Sequence, residues 1–210
     1  MLGMIWAQGK SGAIGKSGTI PWRVPEDMQI FKQLTIGHPV IMGRRTWESL
    51  GDKFRPLPQR TNFVVTRQSD YKAEGAHVCA DLASAIAAAA AVTEQVSDTP
   101  DNNPLHLSWI IGGASLYKHA LAQADILAVT DIDIEVPEAD TFAPKIDAAW
   151  EIYYQNPPAE DCAVPTWRQS KKGINYRFTL YTRQDTADFA LTAAVAEAAQ
   201  MEVEKIQSLI

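Results

Sequence analysis

The sequence of 210 residues has only two cysteines, Cys79 and Cys162, and they lie far apart without CxxC spacing. A disulfide scaffold is therefore disfavoured, and two reduced thiols are the simpler interpretation. No apolar run reaches the roughly 18 residues that a membrane-spanning helix needs, and the N-terminus lacks the basic region of a secretory signal. These absences predict a cytoplasmic protein without a membrane partner.

Basic residues are also outnumbered, since 19 lysines and arginines face 25 aspartates and glutamates, and the formal net charge is -6. A nucleic-acid-binding protein normally carries a basic face, so nucleic acid is not an expected partner. The arginines and lysines that are present gather in the first third of the chain, where they suit a small anionic ligand better than a polymer. The four histidines show no metal-ligand spacing, and we expect no metal.

Short apolar segments alternate with helical ones along most of the chain. Strands are predicted at residues 1–8, 39–42, 60–66, 107–111, 126–132, 150–155 and 175–182, and helices at 25–35, 44–50, 82–92 and 114–122. This alternation predicts an α/β fold, a single domain with a mostly parallel central sheet flanked by helices on both faces. The last two strands are expected to pair antiparallel, and the polar segment 96–104 is predicted to be a surface loop.

The C-terminal segment departs from this alternation. From about Thr186 it is rich in alanine and glutamate, and apolar residues recur at helical spacing at Leu191, Val195, Ala199, Val203, Ile206 and Ile210. We favour a helix that packs on its own domain over one that binds a partner. The chain is thus divided into a domain at 1–183 and a helical extension at 184–210. A monomer is expected, with the extension as an alternative self-association or docking element.

Asp27 is the first candidate for proton chemistry. It lies beside Met28, Ile30 and Phe31 on the helix that Pro25 is predicted to begin. Its carboxylate is either exposed to solvent or faces an apolar pocket. In a pocket its pKa would be disturbed, and it could hold or relay a proton.

Two glycine turns are candidates for binding an anion. Gly43 to Thr46 follows one predicted strand and Gly112-Gly113 another, and each leads into a helix whose first N–H groups are free to bind phosphate. Neither turn has GxGxxG spacing, so any pyrophosphate would be shared between them. Thr66, Arg67 and Gln68 at a third strand end could bind a ribose phosphate, although a solvated strand end explains them equally well.

Two other motifs fail on their spacing. Gly15-Lys16-Ser17 matches the end of a Walker A motif, but Lys10 stands where that motif needs glycine, and no helix follows. The glycine-rich segment is better explained as a mobile lid. The segment from Gly113 to Tyr117 is one glycine short of a nucleophile elbow, which disfavours hydrolase chemistry.

Together these residues resemble the dihydrofolate reductase family. The shared motifs are Ile20-Pro21-Trp22, Pro25-x-Asp27, Phe31, Pro39 to Gly43 with Arg44-x-Thr46-Trp47-Glu48-Ser49, Leu57-Pro58-x-Arg60-x-Asn62, and Ile111-Gly112-Gly113 through Tyr117. The resemblance covers about residues 1–183 and implies that family's central eight-stranded sheet. It also implies NADPH as cofactor and reduction of 7,8-dihydrofolate to tetrahydrofolate, with hydride transfer to C6 and protonation at N5. One-carbon metabolism and thymidylate synthesis would depend on this reaction.

The resemblance also implies roles for individual residues. The catalytic residues would be Asp27, Trp22 and Thr130. Asp27 would bind the pterin, Trp22 would hold an ordered water, and Thr130 would hydrogen-bond the carboxylate of Asp27. Substrate would be bound by Ile5, Ala7, Met28, Phe31, Leu50, Leu57, Arg60, Ile111 and Tyr117, with Arg60 on the α-carboxylate of the glutamate tail. Cofactor would be bound by Ala7, Ile14, Gly15, Ile20, Gly43, Arg44, Arg45, Thr46, Thr66, Arg67, Gln68, Gly112, Gly113, Ala114, Ser115 and Leu116.

Two alternatives belong to other functional classes. A related reductase of riboflavin synthesis shares the fold and NADPH, but it would not need Asp27 together with Arg60. A non-catalytic binding protein could keep the fold without turnover. Against it, each chemically needed position is filled by a competent residue.

Overall fold

The computed structural model describes residues 1–96, 106–158, 166–183 and 189–208. Its internal contacts divide the chain into two compact units. Unit 1 comprises Met1–Met4 and Thr35–Ala124, and unit 2 comprises Ile5–Leu34 and Asp125–Ile210. Candidate site residues occur in both units, and each unit is described by itself.

Unit 1 is built on a parallel sheet. Its strands run in the order β1 (Leu2–Gln8), β6 (Ser108–Gly112), β3 (Val40–Gly43), β4 (Asn62–Val65) and β5 (His77–Cys79), with only the first residues of β1 in this unit. Leu2 aligns with Ser108, Ile41 with Ile110, and Val64 with Val78. Ile41, Val64 and Ile110 are fully buried, as continuous apolar strands of a parallel sheet require.

Three helices follow strands of this unit: α2 (Arg44–Ser49), α3 (Leu82–Val96) and α4 (Ala114–Ala120). The carboxyl ends of parallel strands lie at the same edge of a sheet, so the turns after β3, β4 and β6 share one edge. Asp81 caps α3, because its Oδ1 accepts a hydrogen bond from the N–H of Ser84 at 2.7 Å. α3 runs four residues beyond its predicted end, and α4 stops two residues short of Ala122.

Unit 2 contains α1 (Pro25–Thr35), except for its last residue, and the remaining long strands. β11 (Asn175–Arg183) pairs antiparallel with β7 (Ile126–Ile132), with β9 (Trp150–Asn156) and with the two-residue β10 (Arg168–Gln169). β2 (Ala13–Gly15) and β8 (Thr141–Phe142) form a separate pair. The expected antiparallel pairing of β9 with β11 is confirmed.

The predicted α/β fold with helices is confirmed. In the described residues, the sheet has nine strands, which are the eight longer ones and the two-residue β10. The glycine-rich segment, which is predicted to be a mobile lid, has regular structure in part. It contains a 3₁₀ turn at Lys10–Gly12 and then β2. Of the predicted loop at 96–104, residues 97–104 lie outside the described part of the chain.

α5 (Phe189–Ser208) is the predicted C-terminal helix. Within unit 2 it contacts β9, and Thr192, Val195, Ala196 and Ala199 are buried on it. Burial raises the pKa of Tyr154 on β9, and the negative charge of Glu204 on α5 adds to this. These contacts support a helix that packs on its own unit. The side chains of Leu191, Val203, Ile206 and Ile210 lie outside what the structure describes.

Candidate active site

Asp27 lies in the first turn of α1, where the N–H of Met28 already bonds the carbonyl of Val24 at 3.3 Å. The Asp27 side chain is partly buried, and the buried Thr130 of β7 hydrogen-bonds its carboxyl group. Burial raises the pKa of Asp27 from 3.8 to about 6, and the bond from Thr130 opposes this rise. Asp27 can therefore exchange a proton near neutral pH.

The surroundings of Asp27 include an apolar cluster in unit 2. Val24, Ile132 and Tyr176 form its buried part, and the half-buried Trp22 and Ala7 pack against it. Burial raises the pKa of Tyr176 to about 12, and the charges of Glu26 and Asp27 add to this effect. Tyr176 therefore stays a neutral phenol close to the acid across the physiological range.

Glu26 and Tyr176 are the neighbours of Asp27 that sequence reasoning missed. Glu26 is 1% exposed, and its Oε1 accepts a hydrogen bond from the N–H of Lys171 at 2.9 Å. Its Oε2 has no hydrogen-bond partner in the described part of the chain. A second acid beside Asp27 was visible in the sequence, but its burial depends on the turn between β10 and β11.

The predicted apolar contacts fall in both units. In unit 2, Ile5 is buried, Ala7 and Phe31 are half-buried, and Met28 is exposed. In unit 1, Leu57 is buried, and Leu50 and Ile111 are half-buried. Tyr117 is buried as well, but its hydroxyl lies 3.3 Å from where a Cβ on Gly112 would stand. Tyr117 thus belongs with the glycine turn of unit 1, although it is predicted to bind substrate.

Hydrogen bonds hold the Arg60 side chain within unit 1. Its Nε donates to the carbonyl of Pro58 at 3.0 Å, and its Nη1 donates to the hydroxyl of the buried Thr35 at 2.9 Å. Burial lowers the pKa of Arg60, yet a guanidinium stays charged at any physiological pH. The result is a fixed cation suited to binding a carboxylate.

The glycine turns after β3 and β6 approach each other in unit 1. A Cβ on Gly43 would lie 3.8 Å from the nitrogen of Gly113, and one on Gly113 would lie 3.3 Å from Thr46 Oγ1. Gly112 has a φ of 126°, which L side chains rarely adopt. The two turns therefore form one cradle of backbone N–H groups at the starts of α2 and α4, as an anion requires.

The third predicted phosphate contact lies after β4. Thr66 is buried and its hydroxyl accepts the N–H of Gln68 at 3.2 Å, whereas Arg67 and Gln68 are exposed. Arg44 is half-buried and pairs with Glu48, and Arg45 and Ser115 are exposed. Ala114 and Leu116, in the first turn of α4, are half-buried.

The predicted lid segment is anchored to residues 133–143 of its own unit. The N–H of Ser17 donates to Asp140 Oδ2 at 2.7 Å, and Lys16 pairs with Glu138 at 2.9 Å. Ile14 is half-buried, Gly15 is buried and Ile20 is 64% exposed. An exposed apolar residue at the end of this segment suits a lid that covers a ligand. The mobility of the segment stays a prediction.

Comparison with known proteins gives consistent matches. The family model for dihydrofolate reductase matches residues 1–183. Dihydrofolate reductase from Mycobacterium tuberculosis is 40% identical over 185 residues, which cover 87% of this chain and 98% of that protein. The enzyme of that name from Neisseria meningitidis is 39% identical over 181 residues, covering 86% and 96%. The chain belongs to the dihydrofolate reductase family.

A solved structure agrees with this family assignment. Dihydrofolate reductase from Enterococcus faecalis, complexed with NADP(H) and RAB-propyl, superposes with a TM-score of 0.69 and 32% identity, covering 88% of this chain and 97% of that one. The predicted enzyme class, an oxidoreductase of the dihydrofolate reductase family, is confirmed, and so is NADPH as its cofactor. These matches favour dihydrofolate reductase over the related reductase of riboflavin synthesis.

Several predictions about location, domain division and assembly stay predictions. None of the helices in the described ranges is long and apolar enough to cross a membrane, and the cytoplasmic location stays a prediction. The family match ends at residue 183, so α5 lies beyond it. The division at residue 183, the monomeric state and the role of the extension also stay predictions.

Proposed function

We propose that this dihydrofolate reductase family member reduces 7,8-dihydrofolate to 5,6,7,8-tetrahydrofolate and thereby supports one-carbon metabolism and thymidylate synthesis. When bound, NADPH supplies the hydride that C6 of the pterin receives. The chain's own residues bind both molecules, exclude water and handle the proton that N5 receives. The observation that carries the proposal is Asp27, whose carboxyl group is bonded to Thr130 and has a pKa raised to about 6.

Asp27 is proposed to bind the amino group and a ring N–H of the pterin. An ionised carboxylate there favours a protonated ring, and N5 gains a proton as the C6–N5 double bond becomes a single bond. Thr130 orients the carboxyl group, and Trp22 holds an ordered water next to it. The apolar cluster around Val24 and Ile132 supports this role, because low polarity strengthens the attraction between the acid and a cationic ring.

Arg60 is proposed to bind the α-carboxylate of the glutamate tail. Its guanidinium is fixed by Pro58 and Thr35, so little side-chain freedom is lost on binding. The apolar side chains are proposed to contact the pterin and the benzoyl ring: Ile5, Ala7, Met28, Phe31, Leu50, Leu57 and Ile111.

The cradle of unit 1 is proposed to hold the cofactor pyrophosphate. Its fit rests on the space at Gly112 and Gly113, where a side chain would crowd Thr46. Arg44, Arg67 and Thr66 are proposed to bind the 2′-phosphate that distinguishes NADPH from NADH. Ala7, Ile14, Gly15 and Ile20 are proposed to cover the nicotinamide. Of the remaining predicted cofactor residues, Gln68 follows Arg67 and the others belong to the two turns.

The proposal is tested by mixing the protein with NADPH and dihydrofolate and following the near-ultraviolet absorbance of NADPH. We expect the absorbance to fall only when both substrates are present, and to fall more slowly with NADH. A folded protein that binds both molecules but shows no turnover would be a binding protein, and the proposed reaction would be wrong.

A further inference from the structure

The guanidinium of Arg44 has two supports within unit 1. Its Nη1 donates to both carboxylate oxygens of Glu48, at 2.9 and 3.1 Å. Its Cζ also lies 5.9 Å from the centroid of the Tyr71 ring, within the range of a cation–π contact. One support holds a single nitrogen, and the other is a contact between the guanidinium and the tyrosine ring.

The rest of the guanidinium is available to a ligand. In the described part of the chain, Nε and Nη2 of Arg44 have no protein hydrogen-bond partner, because both of its bonds use Nη1. Nε and Nη2 form one edge of the planar group, and this edge can donate two parallel hydrogen bonds to a phosphate. Arg44 is thus anchored at one end and open along the edge that binds phosphate best.

Tyr71 reaches Arg44 from the segment after β4. The N–H of Tyr71 bonds the carbonyl of Gln68 at 3.3 Å, and the N–H of Gln68 bonds the hydroxyl of Thr66 at 3.2 Å. The tyrosine is therefore tied to the strand end that is proposed to bind the same phosphate.

The hydroxyl of Tyr71 is also engaged, since it hydrogen-bonds Glu48. Burial raises the pKa of Tyr71, the Glu48 carboxylate raises it further, and Arg44 and Arg55 oppose this. A protonated hydroxyl donates to Glu48 and shares that carboxylate with Arg44. Because an exposed ion pair alone holds an arginine weakly, the ring and hydroxyl of Tyr71 add the constraint that Glu48 lacks.

We propose that Tyr71 is a positioning residue for cofactor selection, which holds Arg44 so that its Nε and Nη2 edge receives the 2′-phosphate. The inference rests on the proposed cofactor role of Arg44 and extends it to a residue that no motif singled out. Tyr71 acts through Arg44 and need not touch the cofactor. Its removal should therefore weaken binding of 2′-phosphorylated ligands and leave ligands without that phosphate unaffected.

The test uses 2′,5′-ADP and 5′-AMP as probes, titrated calorimetrically into wild-type protein, Tyr71→Leu and Tyr71→Phe. We expect Tyr71→Leu to lower the preference for 2′,5′-ADP about two- to fivefold, the loss of one cation–π contact. Tyr71→Phe keeps the ring and should retain most of the preference. In turnover, Tyr71→Leu should raise KM for NADPH without changing kcat or KM for NADH.

The outcomes separate this inference from the proposed function. A wild-type protein that does not prefer 2′,5′-ADP lacks the phosphate site, which overturns this inference and the proposed cofactor role of Arg44. A wild-type preference that survives in Tyr71→Leu overturns the role of Tyr71 alone. Tyr153→Leu, on β9 of unit 2, is the matched control and should match wild type with both probes. If Tyr71→Leu weakens binding of 5′-AMP equally, the ring is structural and the inference is wrong.

Discussion

Asp27 is the residue on which the proposed chemistry depends. Its raised pKa means that the folded protein binds this proton more tightly than the unfolded chain does. The stability linked to that proton is present in full below about pH 3.8 and is lost as the pH rises through about 6. At neutral pH the ionised carboxylate is therefore held at a cost in stability, which is typical of a group kept for chemistry.

Arg60 gives a test of substrate recognition at the same scale. We expect Arg60→Lys to raise KM for dihydrofolate roughly 10- to 100-fold, because a lysine cannot reproduce two charge-assisted bonds. KM for dihydropteroate, which lacks the glutamate tail, should not change, and this substrate is the control. Equal effects on both substrates in steady-state assays would contradict the assignment of Arg60 to the tail carboxylate.

At the scale of elements, the sequence predicted the long segments well. α1 and β7 have the predicted bounds, because Pro25 begins one and the apolar run from Ile126 to Val129 begins the other. β2, β5, β8 and β10 were missed, since two or three residues are too short to show a period. The motifs predicted which positions belong to the candidate site. The hydrogen bonds that these residues make could be read only from the structure.

The missed contacts share a physical cause. Glu26 bonds the backbone of Lys171, and Arg44 meets Tyr71, only because turns bring distant segments together. Neither turn has a sequence pattern that predicts which distant residue it will contact. A buried acid beside Asp27 and an aromatic beside Arg44 are therefore results of tertiary packing.

Glu26 tests how firmly the turn between β10 and β11 is tied to α1. Glu26→Ala should lower the free energy of unfolding by about 1–3 kcal/mol, because the N–H of Lys171 loses its partner. Glu26→Gln keeps an oxygen acceptor and should cost less, which makes it the matched control. Urea denaturation measures both, and equal losses would mean that the hydrogen bond does not stabilise the turn.

For the whole molecule, the question is what α5 adds beyond the family match. Val195 and Ala199 are buried, whereas Met201 on the same helix is 70% exposed. A helix with one buried face and one exposed face behaves as part of its own unit. The extension is therefore expected to stabilise unit 2 and to have no direct part in turnover.

Deletion of residues 186–210 tests this expectation. We expect kcat and KM to stay close to wild type, with a free energy of unfolding lower by on the order of 1–3 kcal/mol, because buried apolar area is lost. Met201→Ser is the control on the exposed face and should stay within about 0.5 kcal/mol of wild type. A collapse of activity or solubility after deletion would place α5 in the core or in an interface.

The central claim is that Asp27 supplies the electrostatic basis for protonating the substrate. The most direct measurement is the single-turnover rate of hydride transfer in wild type and Asp27→Asn at about pH 7 and about pH 5, from the fluorescence of bound NADPH. We predict a loss of about 100-fold or more at neutral pH and a smaller loss at acidic pH, where solvent can protonate the substrate. An unchanged rate at neutral pH would remove Asp27 from the mechanism.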